Sequence, residues 1–436
     1  MTQTTEQRSL GLLAVTTLLV SAHYGSGFIL GTAEQVATVG AIGSLYAVAV
    51  GLGSIALALL ARLYWQRIDP IWSLLGDRYG PFVKLGIGLM SWTSLIGIGA
   101  VQIIAVAAIT QLVELPRTPT MGAIALALSL IALLPVERAS WLFRGLLLLN
   151  VGVLCGALVR LHGFGQYPPT IVDFMPVAVT ASPRDLIGIL GSTVFLVLVD
   201  MKCQQFVVRA RSLTISVWGC ILSGLVLVLL AFLPTTLVFA AQKAQIAPAD
   251  LPAASLIPYV LNWLGQGLGQ PWGALFVLSL ALPALGLGSN VIRIQTKALL
   301  DLTQREATPP NQWGFTLLNT LLALGIALHG GEIVGLIVCF YAAYLAAVWL
   351  PFTAYLLDVG QVVPFSRSTV QWALGTGAIA SLSGLGLGIF APSLVWFNSP
   401  ELTILALGLG SGAIVLVAGQ LVDALLPQGV QKDFKG

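Results

Sequence analysis

Charged residues are nearly absent from about twelve long stretches of this chain, and that pattern alone excludes most folds. The stretches cover residues 10–32, 39–64, 81–113, 121–134, 139–161 and 186–208 in the first half. In the second half they cover residues 213–240, 272–302, 313–329, 333–357, 370–390 and 402–425. An α-helix rises about 1.5 Å per residue, so about 20 apolar residues cross the roughly 30 Å hydrocarbon core of a bilayer. Stretches 121–134 and 313–329 are short by that measure, and 81–113 is long enough to tilt. Only 8% of the residues are charged, against roughly 25% in soluble domains. The expected fold class is therefore an all-α polytopic membrane protein of about twelve transmembrane helices. Residues 1–436 read as a single transmembrane domain without a soluble appendage, with the lipid bilayer as its main partner.

Lys and Arg fix the expected orientation, because cytoplasmic loops collect them. With the N-terminus inside, those loops hold Arg62, Arg67, Arg78, Lys84, Arg138, Arg144, Arg209 and Arg211. Arg293, Lys297, Arg305, Arg367, Lys432 and Lys435 continue the bias, and the opposite side holds Arg117, Arg160, Arg184 and Lys243. Both termini are expected in the cytoplasm. Arg8, the apolar run after it and Val20-Ser21-Ala22 imitate a secretory signal, but apolar character resumes at once, so a retained first helix is expected. Two outer segments are longer than a turn: 163–183 is Pro-rich, and 242–270 carries an amphipathic candidate helix at 254–264. A formal net charge of +3 gives no footprint for nucleic acid. Cys155, Cys203, Cys220 and Cys339 lie in apolar runs without metal-ligand spacing. No nucleotide-binding loop or catalytic triad is present, so an enzyme is not expected, nor a tightly bound cofactor.

One stretch breaks the helical pattern. Ser21-Ala-His-Tyr-Gly-Ser-Gly-Phe-Ile-Leu-Gly31 places Gly25, Ser26 and Gly27 inside the first apolar segment, where glycine loosens a helix. Unwound backbone at membrane depth survives only where it is buried in protein or lines a cavity. Broken helices of this kind carry the binding sites of secondary transporters. Close packing of two helices through small residues is the structural alternative.

Five stretches, in this order, resemble the sodium:solute symporter family, which includes proline, pantothenate and sugar symporters. They are the glycine break with Gly31 and Gly40; Asp69-Pro-Ile-Trp-Ser-Leu-Leu-Gly-Asp-Arg-Tyr-Gly80; Gly99-Ala-Val-Gln102; Gln204-Gln-Phe-Val-Val-Arg209-Ala210; and Pro248-Ala-Asp-Leu-Pro252 leading into 273–301. In the second of these, Pro70 stands two residues earlier than the family pattern. The resemblance covers about residues 10–357. It implies two inverted five-helix repeats, here 10–161 and 186–357, plus two accessory C-terminal helices at 370–425. It also implies solute and sodium bound between the first and sixth helices, with the sodium touching the eighth.

The family's sodium site uses carbonyls of the broken first helix and an adjacent Ser/Thr pair in the eighth. Aligned on Ala298-Leu-Leu-Asp301, that pair falls on Gly286 and Leu287, with Ser289 and Asn290 displaced by most of a turn. A hard cation wants about six oxygens, and a leucine side chain offers none. A Thr-Asp pair of the family's fifth helix corresponds here to Trp141-Leu-Phe-Arg144, without a carboxylate. The sodium site is expected to be degenerate, with Na+ or H+ as the coupling ion.

Ionisable groups inside a span cost about 2.5–3.5 kcal/mol on insertion scales and point to function. Asp200 and Lys202 lie in the sixth stretch. One reading has Asp200, Lys202, Cys203 and Gln204 lining a solute site; the other ends the span near Leu198 and lets both charges snorkel to the interface. Arg144 reads either as a cation in the place of sodium or as a positive-inside anchor. Lys202 can also lose its charge when desolvated, which would couple transport to protons. His23 and Tyr24 adjoin the glycine break, while Gln102 and Asn290 suit interhelical hydrogen bonds of about 0.6 kcal/mol.

Together these residues suggest a secondary active transporter for a small solute, with a solute site among His23, Tyr24, Gly25, Ser26, Gly27, Gln102, Asp200, Lys202, Cys203 and Gln204. The ion-coupling candidates are Arg144, Lys202, Gly286, Leu287, Ser289 and Asn290. A proton-coupled or ion-independent exchanger, or a transport-dead receptor or assembly subunit of the same fold, is the alternative.

Overall fold

The computed structural model describes residues 8–425 apart from 68, 135, 247, 249–250 and 268; the side chains of 113, 136–144, 146 and 185 also lie outside the description. A helix stands at each of the twelve apolar stretches. The first half holds α1 (Leu12–His23), α2 (Ser26–Val39), α3 (Leu45–Gln66), α4 (Ile71–Tyr79), α5 (Pro81–Thr110), α6 (Arg117–Ala132) and α7 (Val136–Arg160). Then come α8 (Tyr167–Thr180), α9 (Pro183–Leu186), α10 (Ser192–Val199), α11 (Met201–Val207), α12 (Leu213–Lys243) and α13 (Leu256–Leu264). The chain ends with α14 (Pro271–Leu302), α15 (Pro309–His329), α16 (Ile333–Val359), α17 (Arg367–Phe390) and α18 (Pro400–Leu425). Among the described residues the extended pairing amounts to one isolated bridge between Leu10 and Ala210.

By length and apolarity alone, seven stretches among the described residues qualify as membrane spans, or nine if each of two bent pairs counts as one. Twelve were expected, and the difference has local causes. The break leaves α1 with 12 residues, and α6 has 16. α2 and α3 run on through a short 3-10 turn as one stretch, and α15 carries Asn311, Gln312, Thr316, Asn319 and Thr320.

Two expectations need correcting. The Pro-rich segment 163–183 is largely helical: α8 leaves the axis of α7 at 99°. Pro168 and Pro169 sit in its first turn, where a missing N–H costs nothing. The sixth stretch does not end near Leu198; it breaks at Asp200 and resumes as α11 after a 42° bend. The helix expected at 254–264 is α13 with a preceding 3-10 turn.

α5 and α16 are buried along most of their length, whereas α17 and α18 expose most of theirs. α5 packs on α14, α15 and α16; α3 lies between α12 and α10; and α1 rests on α12. The approach of α3 to α12 depends on two small residues, since a methyl group at Gly224 would strike the Gly51 carbonyl and Ile55. Gly224→Ala is thus expected to cost about 1–3 kcal/mol by overpacking. Gly122→Ala, which meets nothing within 4 Å, is expected to be neutral or to stabilise α6 by at most about 1 kcal/mol. Thermal unfolding of the two variants in detergent checks the pair, and equal melting temperatures would refute the close contact.

Candidate site between two broken helices

The first break lies one residue earlier than the glycine cluster suggests. α1 ends at His23, Tyr24 and Gly25 leave helical geometry, and Ser26 and Gly27 already belong to the first turn of α2. A helix start leaves orphan N–H groups, and here Gln102 of α5 meets one: its Oε1 accepts from Ser26 N at 3.2 Å. The Ser26 hydroxyl donates to Leu280 O of α14 at 2.9 Å, and Tyr24 donates to Asn150 Oδ1 of α7 at 3.1 Å. Asn150 in turn donates to Ser279 O at 3.0 Å. Neighbouring helices therefore hold the unwound turn in place.

The second break forms without glycine. Asp200 is extended and caps α11, its Oδ1 accepting from Lys202 N at 2.8 Å. The carbonyls stranded at the end of α10 find hydroxyls instead: Tyr64 donates to Leu198 O at 2.6 Å and Tyr344 to Val199 O at 2.9 Å. In hydrocarbon each orphan would cost several kcal/mol, so these tyrosines make the break affordable.

Side chains from the two breaks meet. His23 Nε2 stands 3.0 Å from Cys203 Sγ, both buried. Lys202 is 1% exposed and Asp200 7%, so neither snorkels to an interface. The Lys202 ammonium lies 3.1 Å from Asp200 Oδ2 and 3.5 Å from the Tyr341 hydroxyl, with the Tyr341 ring centroid 5.6 Å away. Ion-pair distance and hydrogen bonding diverge at Asp200: Oδ2 is close to the ammonium yet takes no well-directed hydrogen bond. Such a pair pays for desolvation with little hydrogen bonding in return.

The remaining candidates divide. Gln204 faces away from the breaks; its amide donates to Asp69 O at 3.0 Å and accepts from Ile71 N at 3.2 Å, tying α11 to α4. On α14, Leu287 fills the space beside the first break, since a methyl group at Gly25 would lie 2.5 Å from Leu287 Cδ2 and 3.0 Å from Gln102 Oε1. Gly286 is buried, Ser289 spends its hydroxyl on Gly286 O at 3.1 Å, and Asn290 is half-buried. The Arg144 side chain lies outside the described residues. Sequence reasoning missed Asn150, Tyr46, Tyr64, Tyr341 and Tyr344. Asn150 was detectable as an amide after four leucines; the tyrosines carry no signal beyond their chemistry.

No family model matches the chain, and no curated protein matches it. Solved structures do. A Na+-coupled sialic acid symporter, substrate-bound and outward-open, superposes with a TM-score of 0.58 at 14% identity, over 96% of this chain and 90% of that one. The Eremococcus coleocola manganese transporter, in complex with an aromatic bis-isothiourea compound, gives 0.54 at 15% identity over 94% of each chain. Mhp1, a nucleobase-cation-symport-1 family transporter, closed with bromovinylhydantoin bound, gives 0.53 at 12% identity over 95% of this chain and 94% of that one. At such identities the likeness establishes the fold: an all-α, multi-pass membrane protein with the inverted-repeat architecture of these transporters.

Proposed function

We propose that this protein is a secondary active transporter that moves a small solute by alternating access, with the solute held between the breaks of α1/α2 and α10/α11. The observation that carries the reading is the meeting of two interrupted helices, His23 of one against Cys203 of the other, at a point where neither lipid nor bulk water satisfies the backbone. Residues 10–161 and 186–357 are then the two inverted repeats, 370–425 an accessory pair, and both termini face the cytoplasm. Kinship with the sodium:solute symporters, argued from Leu75-Gly-Asp-Arg78-Tyr-Gly80 and the 204–210 run, is the finer form of this reading.

Sodium coupling of the usual kind is disfavoured by Leu287, which packs against the Gly25 backbone. Beside the breaks stands the ammonium of Lys202, a group able to release its proton, which makes a proton the better coupling ion. A receptor without transport is the second reading, favoured by the same blocked position.

Uptake into proteoliposomes decides between them. At Gly27 even a methyl group would lie 2.8 Å from Ile337 Cδ1 and 2.9 Å from Val101 Cγ1. Gly27→Trp is expected to cut saturable uptake by more than about tenfold, the effect of a clash worth at least about 1.4 kcal/mol. Specific solute binding by the unaltered protein without any uptake would favour the receptor.

A further inference from the structure

We propose that the solute carries an ammonium group, which replaces the Lys202 ammonium on Asp200. The inference rests on the transporter reading above and names the solute class for the same site.

Three observations converge on it. A cavity of about 670 Å³ opens beside the end of α2 and is walled by the starts of α3 and α16, the end of α17 and the start of α18. Among the described residues its charged lining is acidic: Glu332 and Glu401 face it, no Lys or Arg does, and His329 Nε2 is engaged with Ile389 O at 2.9 Å. Glu34, which accepts from Ile333 N, stands nearby. The cavity is thus suited to concentrate cations and to repel carboxylates.

Next, its wall includes Tyr46, whose hydroxyl interacts with that of Tyr341, and Tyr341 in turn approaches the Lys202 ammonium by both hydroxyl and ring. Aromatic faces around a desolvated ammonium are the usual means of recognising organic ammonium groups. Finally, Asp200 Oδ2 is buried with no directed hydrogen bond, an acceptor that a better-placed donor would satisfy.

Two ammonium groups cannot share one buried carboxylate at low cost. When the solute binds, an N–H bond of Lys202 breaks and the proton leaves to water. Lys202 becomes a neutral amine, and the charge on the site is unchanged. The groups facing Lys202 are His23 from α1, Tyr46 from α3, Tyr341 from α16, and Asp200 and Cys203 from its own segment. Asp200 is the one carboxylate of this set.

The probe is butylammonium, with butyrate and butanol as controls at constant ionic strength, read as thermal stability and as proton release by the purified protein. Butylammonium alone is expected to stabilise, releasing up to one proton per molecule bound, with apparent affinity rising by up to about tenfold per pH unit. Lys202→Met is expected to regain stability with butylammonium and to lose the pH dependence. The neutral double variant Asp200→Asn/Lys202→Met is expected to fold without responding to it. Equal stabilisation by butyrate, or an undiminished butylammonium response in the double variant, overturns the proposal. Butylammonium binding at Asp200 without uptake would leave the solute class standing and remove the transport reading. Uptake of another solute that butylammonium does not compete with would do the reverse.

Discussion

Lys202→Met without a partner change is expected to lower the stability of the purified protein by about 3–5 kcal/mol, and Asp200→Asn by a similar amount. The double variant is expected to lose less than either. The argument is one of desolvation. The two side chains are 1% and 8% exposed, so solvent offers almost no screening to a charge left behind. Removing one partner strands the other in a protein interior, whereas removing both abolishes the penalty together with the attraction. The geometry sharpens the expectation: Asp200 Oδ2 has no directed hydrogen bond, and the Lys202 ammonium has one long contact, to Tyr341 at 3.5 Å. Without its partner, each charge keeps little: Asp200 the Lys202 N–H on its Oδ1, and Lys202 the hydroxyl and ring of Tyr341. Thermal unfolding of the four proteins in one detergent closes a double-mutant cycle. A double variant whose loss equals the sum of the singles would mean that the two groups do not interact. Retention of this pair despite its cost suits a site where a charge must be exchanged.

Some of this site was legible in the sequence because it violates the medium. A carboxylate and an ammonium two residues apart in an apolar run, and a glycine cluster inside another, are anomalies that a helix in lipid must explain. The break at Asp200 itself was harder to read, since no glycine or proline marks it. It forms because Asp200 caps the following helix and because Tyr64 and Tyr344 reach the stranded carbonyls from α3 and α16. Those partners lie 134 and 145 residues away, so no local pattern encodes them. Gln204 illustrates the opposite failure. It looked like a member of the site by adjacency, but one helical position turned its amide toward the backbone before α4. Pro168 and Pro169 mark 163–183 as a Pro-rich outer segment without announcing its helix, although proline is equally at home in a first helical turn.

Sodium, replacing choline at constant ionic strength and pH, is expected to leave the melting temperature of the unaltered protein unchanged. A ligand that binds only the native state adds RT ln(1 + [L]/Kd), about 2.7 kcal/mol at a hundredfold excess, so a working site would be conspicuous. Leu287 is the reason to expect none. Its Cδ2 lies where a methyl group on Gly25 would be 2.5 Å distant, so hydrocarbon occupies the ground beside the unwound backbone that a cation would need. Both serine hydroxyls of α14 are committed to their own helix, Ser279 to Phe276 O at 2.6 Å and Ser289 to Gly286 O at 3.1 Å. Trimming the plug tests its role. Leu287→Ala is expected to destabilise by about 2–5 kcal/mol through lost burial and the cavity left behind, and still not to respond to sodium, because removing methyl groups supplies no oxygen ligands. A saturable, sodium-specific rise in the unaltered protein would overturn the reading of Leu287. The same rise appearing only in Leu287→Ala would mean that the backbone of the first break is itself a sufficient cation cradle, held shut by one leucine.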